Sequence, residues 1–211
     1  MSPNSTLRGS SQARECASEG EVISEIQETE AGAWSNAEDF KHATGNTGLV
    51  LRSPVAEDGP AVTALIAGSP PLDPNSAYCN LLQCSDFADT CVVAESGGRI
   101  VGWISGYRPP SRPEHIFVWQ VAVDRSARGL GLGGRMLDEL IARSAAKGAT
   151  ALTTTVTETN QASWGLFEAF ARRHGARLTK SPRFERDAHF AGAHDTEWQA
   201  SIGPLPSADR N

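Results

Sequence analysis

Apolar and polar positions change their pattern sharply near residue 48. Up to Gly48 the chain is rich in Ser, Glu, Gly and Ala, with scattered apolar residues and no sustained period. That texture predicts a disordered or weakly ordered extension over residues 1–47. From Leu49 the periods become regular. The run LVLR reads as a short strand, and a helix is expected from about Glu57 to Ala67, where Pro70 and Pro71 stop it. A second helix is expected from Asn75 to Leu82, with Asp73 or Asn75 as its cap. The runs CVVAE and RIVGWISGY, joined by Ser-Gly-Gly, predict an antiparallel hairpin. HIFVWQVAV, residues 115–123, is a third apolar run of strand length. Beyond it, Met136, Leu137, Leu140 and Ile141 repeat at helical spacing and Gly148 suits a C-terminal cap. ALTTTVTE predicts a further strand, the segment opening at Asn160 an amphipathic helix, and TEWQASI a last strand. Hairpins first and strand–helix alternation afterwards predict a mixed α/β (α+β) fold. One domain over residues 48–205 and a short tail over 206–211 are expected.

Between the strand at 115–123 and the following helix lies Arg128-Gly129-Leu130-Gly131-Leu132-Gly133-Gly134. Successive backbone N–H groups at a helix start, with almost no side chains over them, form an anion site. The helix dipole favours a pyrophosphate there and Arg128 adds a full charge. Gly129, Gly131 and Gly134 also satisfy the dinucleotide fingerprint G-x-G-x-x-G. The context speaks against a nicotinamide or flavin enzyme: the turn lies mid-chain behind a hairpin, and no second mononucleotide-binding half follows.

Charge and cysteine content narrow the chemistry. The net charge is −6, yet the first 48 residues alone hold three basic against eight acidic side chains, which leaves the body nearly neutral. A neutral body offers no electrostatic footprint for nucleic acid, and an acidic extension would repel phosphate backbones and anionic lipid. No nucleic-acid or membrane partner is therefore expected. No run of about 18 apolar residues occurs, and the first residues lack the order of a signal peptide, so a cytoplasmic protein is expected. The four cysteines, at 16, 79, 84 and 91, have neither zinc-site spacing nor disulfide-scaffold density. Reduced, mostly buried thiols and no metal are expected. Small-molecule chemistry is left.

Val123 followed by Arg128-x-x-Gly131-x-Gly133, between a strand and a helix, resembles the acetyl-CoA pyrophosphate loop of the GNAT acetyltransferase superfamily. Asn160 and its helix resemble that superfamily's second CoA-contacting segment. A wider set of blocks is similar to the L-2,4-diaminobutyric acid acetyltransferase family of ectoine biosynthesis. These are LDPNSAYCNLLQC, FADTCVVAE, VWQVAVDRSARGLGLGGRML, TTTVTETNQASWGLFEAFAR, HDTEW and IGP.

The resemblance implies a twisted mixed sheet of six to seven strands, flanked by about four helices and splayed at the fourth strand, an acetyl-CoA co-substrate, a homodimer, and transfer of acetyl to the γ-amine of L-2,4-diaminobutyrate. It implies that Val121 and Val123 offer backbone groups to pantetheine and that an N–H near Ala122 stabilises a developing oxyanion. Arg128, Gly129, Gly131, Gly133 and Gly134 would hold the pyrophosphate, with Asn160 and Ser163 near the thioester end. An alkyl amine titrating near 10.4 must shed a proton before it attacks. Two departures from the superfamily stand out. The fourth strand reads Val118-Trp119-Gln120 where many members carry a Glu base, and position 167 is Phe where many carry a Tyr acid. The candidates for substrate binding are Asp73, Tyr78, Trp119, His194 and Glu197, of which Glu197, His194 and Tyr78 are the catalytic candidates. Asp73 and Glu197 suit the amines, Tyr78 and Trp119 the walls, and His194 a proton relay or the carboxylate. Acetylation of another small amine, such as a polyamine or aminoglycoside, and a noncatalytic CoA-binding module are the other readings.

Overall fold

The computed structural model describes residues 48–145 and 147–205. The expected extension over 1–47 and the tail over 206–211 lie outside the described residues. Among the described residues seven strands form one sheet: β1 (Leu49–Arg52), β2 (Val92–Ser96), β3 (Arg99–Tyr107), β4 (His115–Val123), β5 (Ala151–Thr157), β6 (Arg177–Phe184) and β7 (Glu197–Gly203). Their order is β1-β2-β3-β4-β5-β7-β6. Only β4 and β5 run parallel, because the connection between them carries a crossover helix. The helices are α1 (Gly59–Ala67), α2 (Ala77–Ser85), α3 (Leu132–Ala145), α4 (Gln161–Arg173) and the short α5 (Arg186–Phe190).

Each face of the sheet has its own core. On one face, Met136, Leu137 and Leu140 of α3 and Trp164, Phe167 and Phe170 of α4 pack on Ile116, Val118, Leu152, Ala200 and Ile202. On the other, Val62 and Ile66 of α1 and Cys84 of α2 pack on Val93, Trp103 and Ala122. Burial pushes the Cys84 thiol up to about 11 and the Cys91 thiol up to about 12, so both behave as small apolar side chains. The free thiols among the described residues are Cys79, Cys84 and Cys91.

Several local outcomes differ from the sequence reading. Helix α1 is preceded by a 3-10 turn over Ala56–Asp58. Helix α2 is capped by neither Asp73 nor Asn75, because Ser76 adopts the extended conformation and accepts from the Cys79 N–H. Strand β6 and helix α5 carry no period that a sequence scan finds. β6 is an edge strand that pairs with β7, is exposed along most of its length and contains Pro182, a residue that edges tolerate and central strands do not.

Strand β4 departs from regular pairing in two ways. Its pairing with β5 begins at His115–Ala151 and ends at Val118–Thr154, although β4 continues to Val123. A gap therefore opens at the C-terminal end of the two parallel strands. At the same point the register against β3 jumps from Gly106–Val118 to Ser105–Gln120, leaving Trp119 as a β-bulge.

Candidate active site

The gap beside β4 widens into a cavity of about 470 Å³. Its floor is the strand segment Val121, Ala122 and Val123, and one end is closed by the β4–α3 loop and the first turn of α3. That loop folds through local bonds. Asp124 accepts from the Ser126 N–H at 2.9 Å and closes a 3-10 turn over Arg125–Ala127, and Arg128 Nε donates to the Val123 carbonyl at 2.9 Å. Gly129 and Gly131 then take φ of 75° and 73°, which a side chain strongly disfavours, and α3 starts at Leu132. A Cβ on Gly133 would make ordinary contact with Leu166 Cδ1 of α4 at 3.4 Å. The loop is thus a cradle of backbone N–H groups at the positive end of a helix of 14 residues.

All ten residues expected to bind the cofactor line this cavity: Val121, Ala122, Val123, Arg128, Gly129, Gly131, Gly133, Gly134, Asn160 and Ser163. Asn160 also caps α4, its Oδ1 accepting from the Ser163 N–H at 3.1 Å. The sequence reading missed the opposite wall, Ser69, Pro70, Pro71 and Leu72. Those prolines read as a helix stop, and nothing local says that the chain beyond α1 returns to β4.

The five substrate candidates fall into two groups, one on each side of the gap. On the β4 side, the bulge lets Val118 and Val121 both face the α3–α4 layer while Trp119 and Gln120 both project to the opposite face. Trp119 is half-exposed and meets Tyr107 edge-on, with ring centroids 6.4 Å apart. Tyr78 stands on the first turn of α2, 68% exposed. The backbone of Asp73 is tied to β4, its carbonyl accepting from Gln120 Nε2 at 2.8 Å.

On the β5 side, Glu197 starts β7 opposite Thr157, at the end of the sheet where the gap opens. Its carboxylate lies 4.0 Å from His194 Nε2. His194 Nδ1 lies 2.7 Å from the Asp195 carbonyl, which can only accept, so Nδ1 carries the proton and a neutral ring leaves Nε2 with a lone pair. Phe190 braces the ring at 4.8 Å. His194 also borders a smaller cavity of about 310 Å³ with Thr157 and Arg186. Phe167, at the position where many superfamily members carry an acid, is buried in the α3–α4 core.

Comparisons with known proteins agree with this architecture. The family model described as Acetyltransferase (GNAT) family matches residues 60–171. The chain is similar to the L-2,4-diaminobutyric acid acetyltransferase of Methylotuvimicrobium alcaliphilum, 47% identical over 157 residues, covering 74% of this chain and 91% of that protein. A protein of the same name from Vibrio cholerae is 47% identical over 160 residues, covering 76% and 92%. Among solved structures, the diaminobutyrate acetyltransferase EctA from Paenibacillus lautus, in complex with its substrate L-2,4-diaminobutyric acid and coenzyme A, superposes with a TM-score of 0.71 at 40% identity. That match covers 75% of this chain and 96% of the other.

Proposed function

This chain belongs to the GNAT acetyltransferase family, and on that premise we propose that it transfers the acetyl group of acetyl-CoA to the γ-amine of L-2,4-diaminobutyrate, giving the N4-acetyl product for ectoine biosynthesis. The observation that carries the reading is the convergence of the β4 floor, the glycine cradle and the α4 cap on one cavity in the β4–β5 gap. It is joined by the 47% identity to diaminobutyric acid acetyltransferases over nearly their whole length.

The residues present fit acetyl-CoA. The cradle of Gly129, Gly131, Gly133 and Gly134 with Arg128 suits a pyrophosphate, and the apolar strip of β4 suits a pantetheine arm. When bound, acetyl-CoA supplies the thioester that is attacked, with a thiolate as leaving group. Asp73 and Glu197 hold ammonium groups of the amine, and Trp119 and Tyr78 wall its carbon chain. His194 Nε2 accepts the proton that the attacking nitrogen must lose, with the Glu197 carboxylate 4.0 Å from that nitrogen. The oxygen on which charge develops meets the Val121 N–H in place of one at Ala122, because the register that pairs Asp124 with Val101 and Ala122 with Trp103 turns the Ala122 N–H towards β3 and leaves that of Val121 on the gap side. No acid at the Phe167 position is needed, since a thiol of pKa about 8.5 leaves without one. The protein works as a cytoplasmic homodimer. Light scattering at micromolar concentration tests the dimer, and a monomer would count against it.

The substrate is tested by free-CoA release with diaminobutyrate, ornithine, lysine and a polyamine, followed by NMR of the product. The expected result is the N4-acetyl isomer with poor turnover of the longer chains, because a misplacement of about 1 Å costs on the order of a hundredfold in rate. Predominant α-acetylation, or preference for the polyamine, overturns the substrate while leaving the acetyltransferase class intact. Binding of acetyl-CoA without release of CoA from any amine points to a noncatalytic module.

A further inference from the structure

We infer that Gln120 is a positioning residue that sets the amine-binding loop against the acetyl-transfer site. The inference rests on the reading of Asp73 as an amine-binding carboxylate. Gln120 occupies the place on β4 just after the bulge and is only 6% exposed. A buried primary amide must find both donors and acceptors, and its two ends are used on one target. Nε2 donates to the Asp73 carbonyl at 2.8 Å, and Oε1 accepts from Asn75 Nδ2 at 2.8 Å. A carbonyl only accepts, so the amide orientation follows from the bonds. The two contacts straddle Pro74 and fix the 73–75 segment to β4 as a rigid unit.

The location gives this clamp its consequence. The same loop begins with Ser69–Leu72, which wall the cofactor cavity, and ends at Ser76, the cap of α2, whose first turn carries Tyr78. Its other neighbour on β4 is Trp119, which the bulge turns to the same face as Gln120. One buried side chain therefore sets the distance between the Asp73 backbone, from which the carboxylate springs, and the strand whose Val121–Val123 segment floors the cofactor cavity. An ordinary β-strand without the bulge would turn residue 120 into the α3–α4 core, where the amide would meet Met136 and its neighbours in place of the loop.

Steady-state kinetics of Gln120→Met, Asn75→Ala, Asp73→Asn and the Gln120→Met/Asp73→Asn pair test the inference, with acetyl-CoA and diaminobutyrate varied separately. Methionine keeps the length of the side chain and removes both hydrogen bonds. Gln120→Met is expected to raise KM for diaminobutyrate about tenfold, the scale of a sub-ångström misplacement, while KM for acetyl-CoA stays within about twofold. Asn75→Ala, which breaks the second contact from outside the strand together with the longer Asn75–Asn80 bond, shifts KM in the same direction by a smaller factor. In the Asp73→Asn background Gln120→Met adds little, because it acts through that carboxylate. Equal changes in both KM values, an unchanged KM for the amine, or full multiplication of the two single effects overturns it. Should Gln120→Met fail to fold, Asn75→Ala decides the question alone, and an unchanged amine KM there also overturns it. If the wild-type protein acetylates a different amine, the substrate reading fails, and the same split measured on that amine still decides the role of Gln120.

Discussion

The imidazole of His194 and the carboxylate of Glu197 face each other at 4.0 Å across the start of β7, and the Asp195 carbonyl fixes the ring so that Nε2 is the nitrogen nearer the carboxylate. In the proposed reaction the two act as one unit, the ring accepting the proton at Nε2 and the carboxylate standing beside that nitrogen. His194→Ala is expected to lower kcat on the order of a hundredfold or more, the usual contribution of a positioned base. Glu197→Gln should lower it as well, and the double variant should be little worse than His194→Ala, since groups acting together are strongly non-additive. Fully multiplicative losses would show that the two residues work separately.

The glycine cradle predicts a cofactor-specific defect. Gly131→Val places a β-branched residue at φ 73° and covers the loop N–H groups, and Arg128→Ala removes a charge next to them. A charge-assisted hydrogen bond contributes about 1.5–3 kcal/mol, so calorimetry should show acetyl-CoA binding weakened roughly tenfold to a hundredfold in Arg128→Ala. Gly131→Val should lose at least as much. Undiminished affinity in both variants would exclude the loop as the cofactor site.

Helix α1 predicts an acid-sensitive stability. The Arg52 guanidinium grips Asp58 at 2.7 and 2.9 Å, the Val55 N–H adds a contact at 2.8 Å, and together they hold the Asp58 carboxyl below its usual range. A lowered carboxyl contributes stability that is present above its unfolded value, about 3.9, and is lost as pH falls through the folded value. Asp58→Asn should therefore cost about 1–2 kcal/mol at neutral pH. The difference from wild type should shrink in urea unfolding near pH 3. A constant difference at both pH values would show that the carboxylate charge is not what matters.

Much of this protein is legible one residue at a time. Residues 115–123 form β4 with the bounds that their apolar run predicts, the helix after Gly131 follows its period, and the anion cradle is readable because glycines at a helix start act locally. Eight of the ten cofactor candidates lie on β4, its following turn and the first turn of α3, and the other two, Asn160 and Ser163, follow β5 at the start of α4, which the parallel pairing of β4 and β5 brings to the same end of the sheet. β6 was not legible, because an edge strand exposed on most of its length has no buried face to impose a period on its sequence.

What only the tertiary structure decides is where chain segments distant in sequence meet. Pro70 and Pro71 read as punctuation, yet they wall the cavity because α1 packs under β3 and β4 and delivers them there. Gln120 reads as the absence of an acid, yet a one-residue bulge opposite Gly106–Ser105 turns it to the loop 47 residues earlier in the chain. A bulge is set by how two strands must keep their apolar faces on one core. That constraint acts between strands, so the sequence of β4 alone does not show which residue takes up the slack.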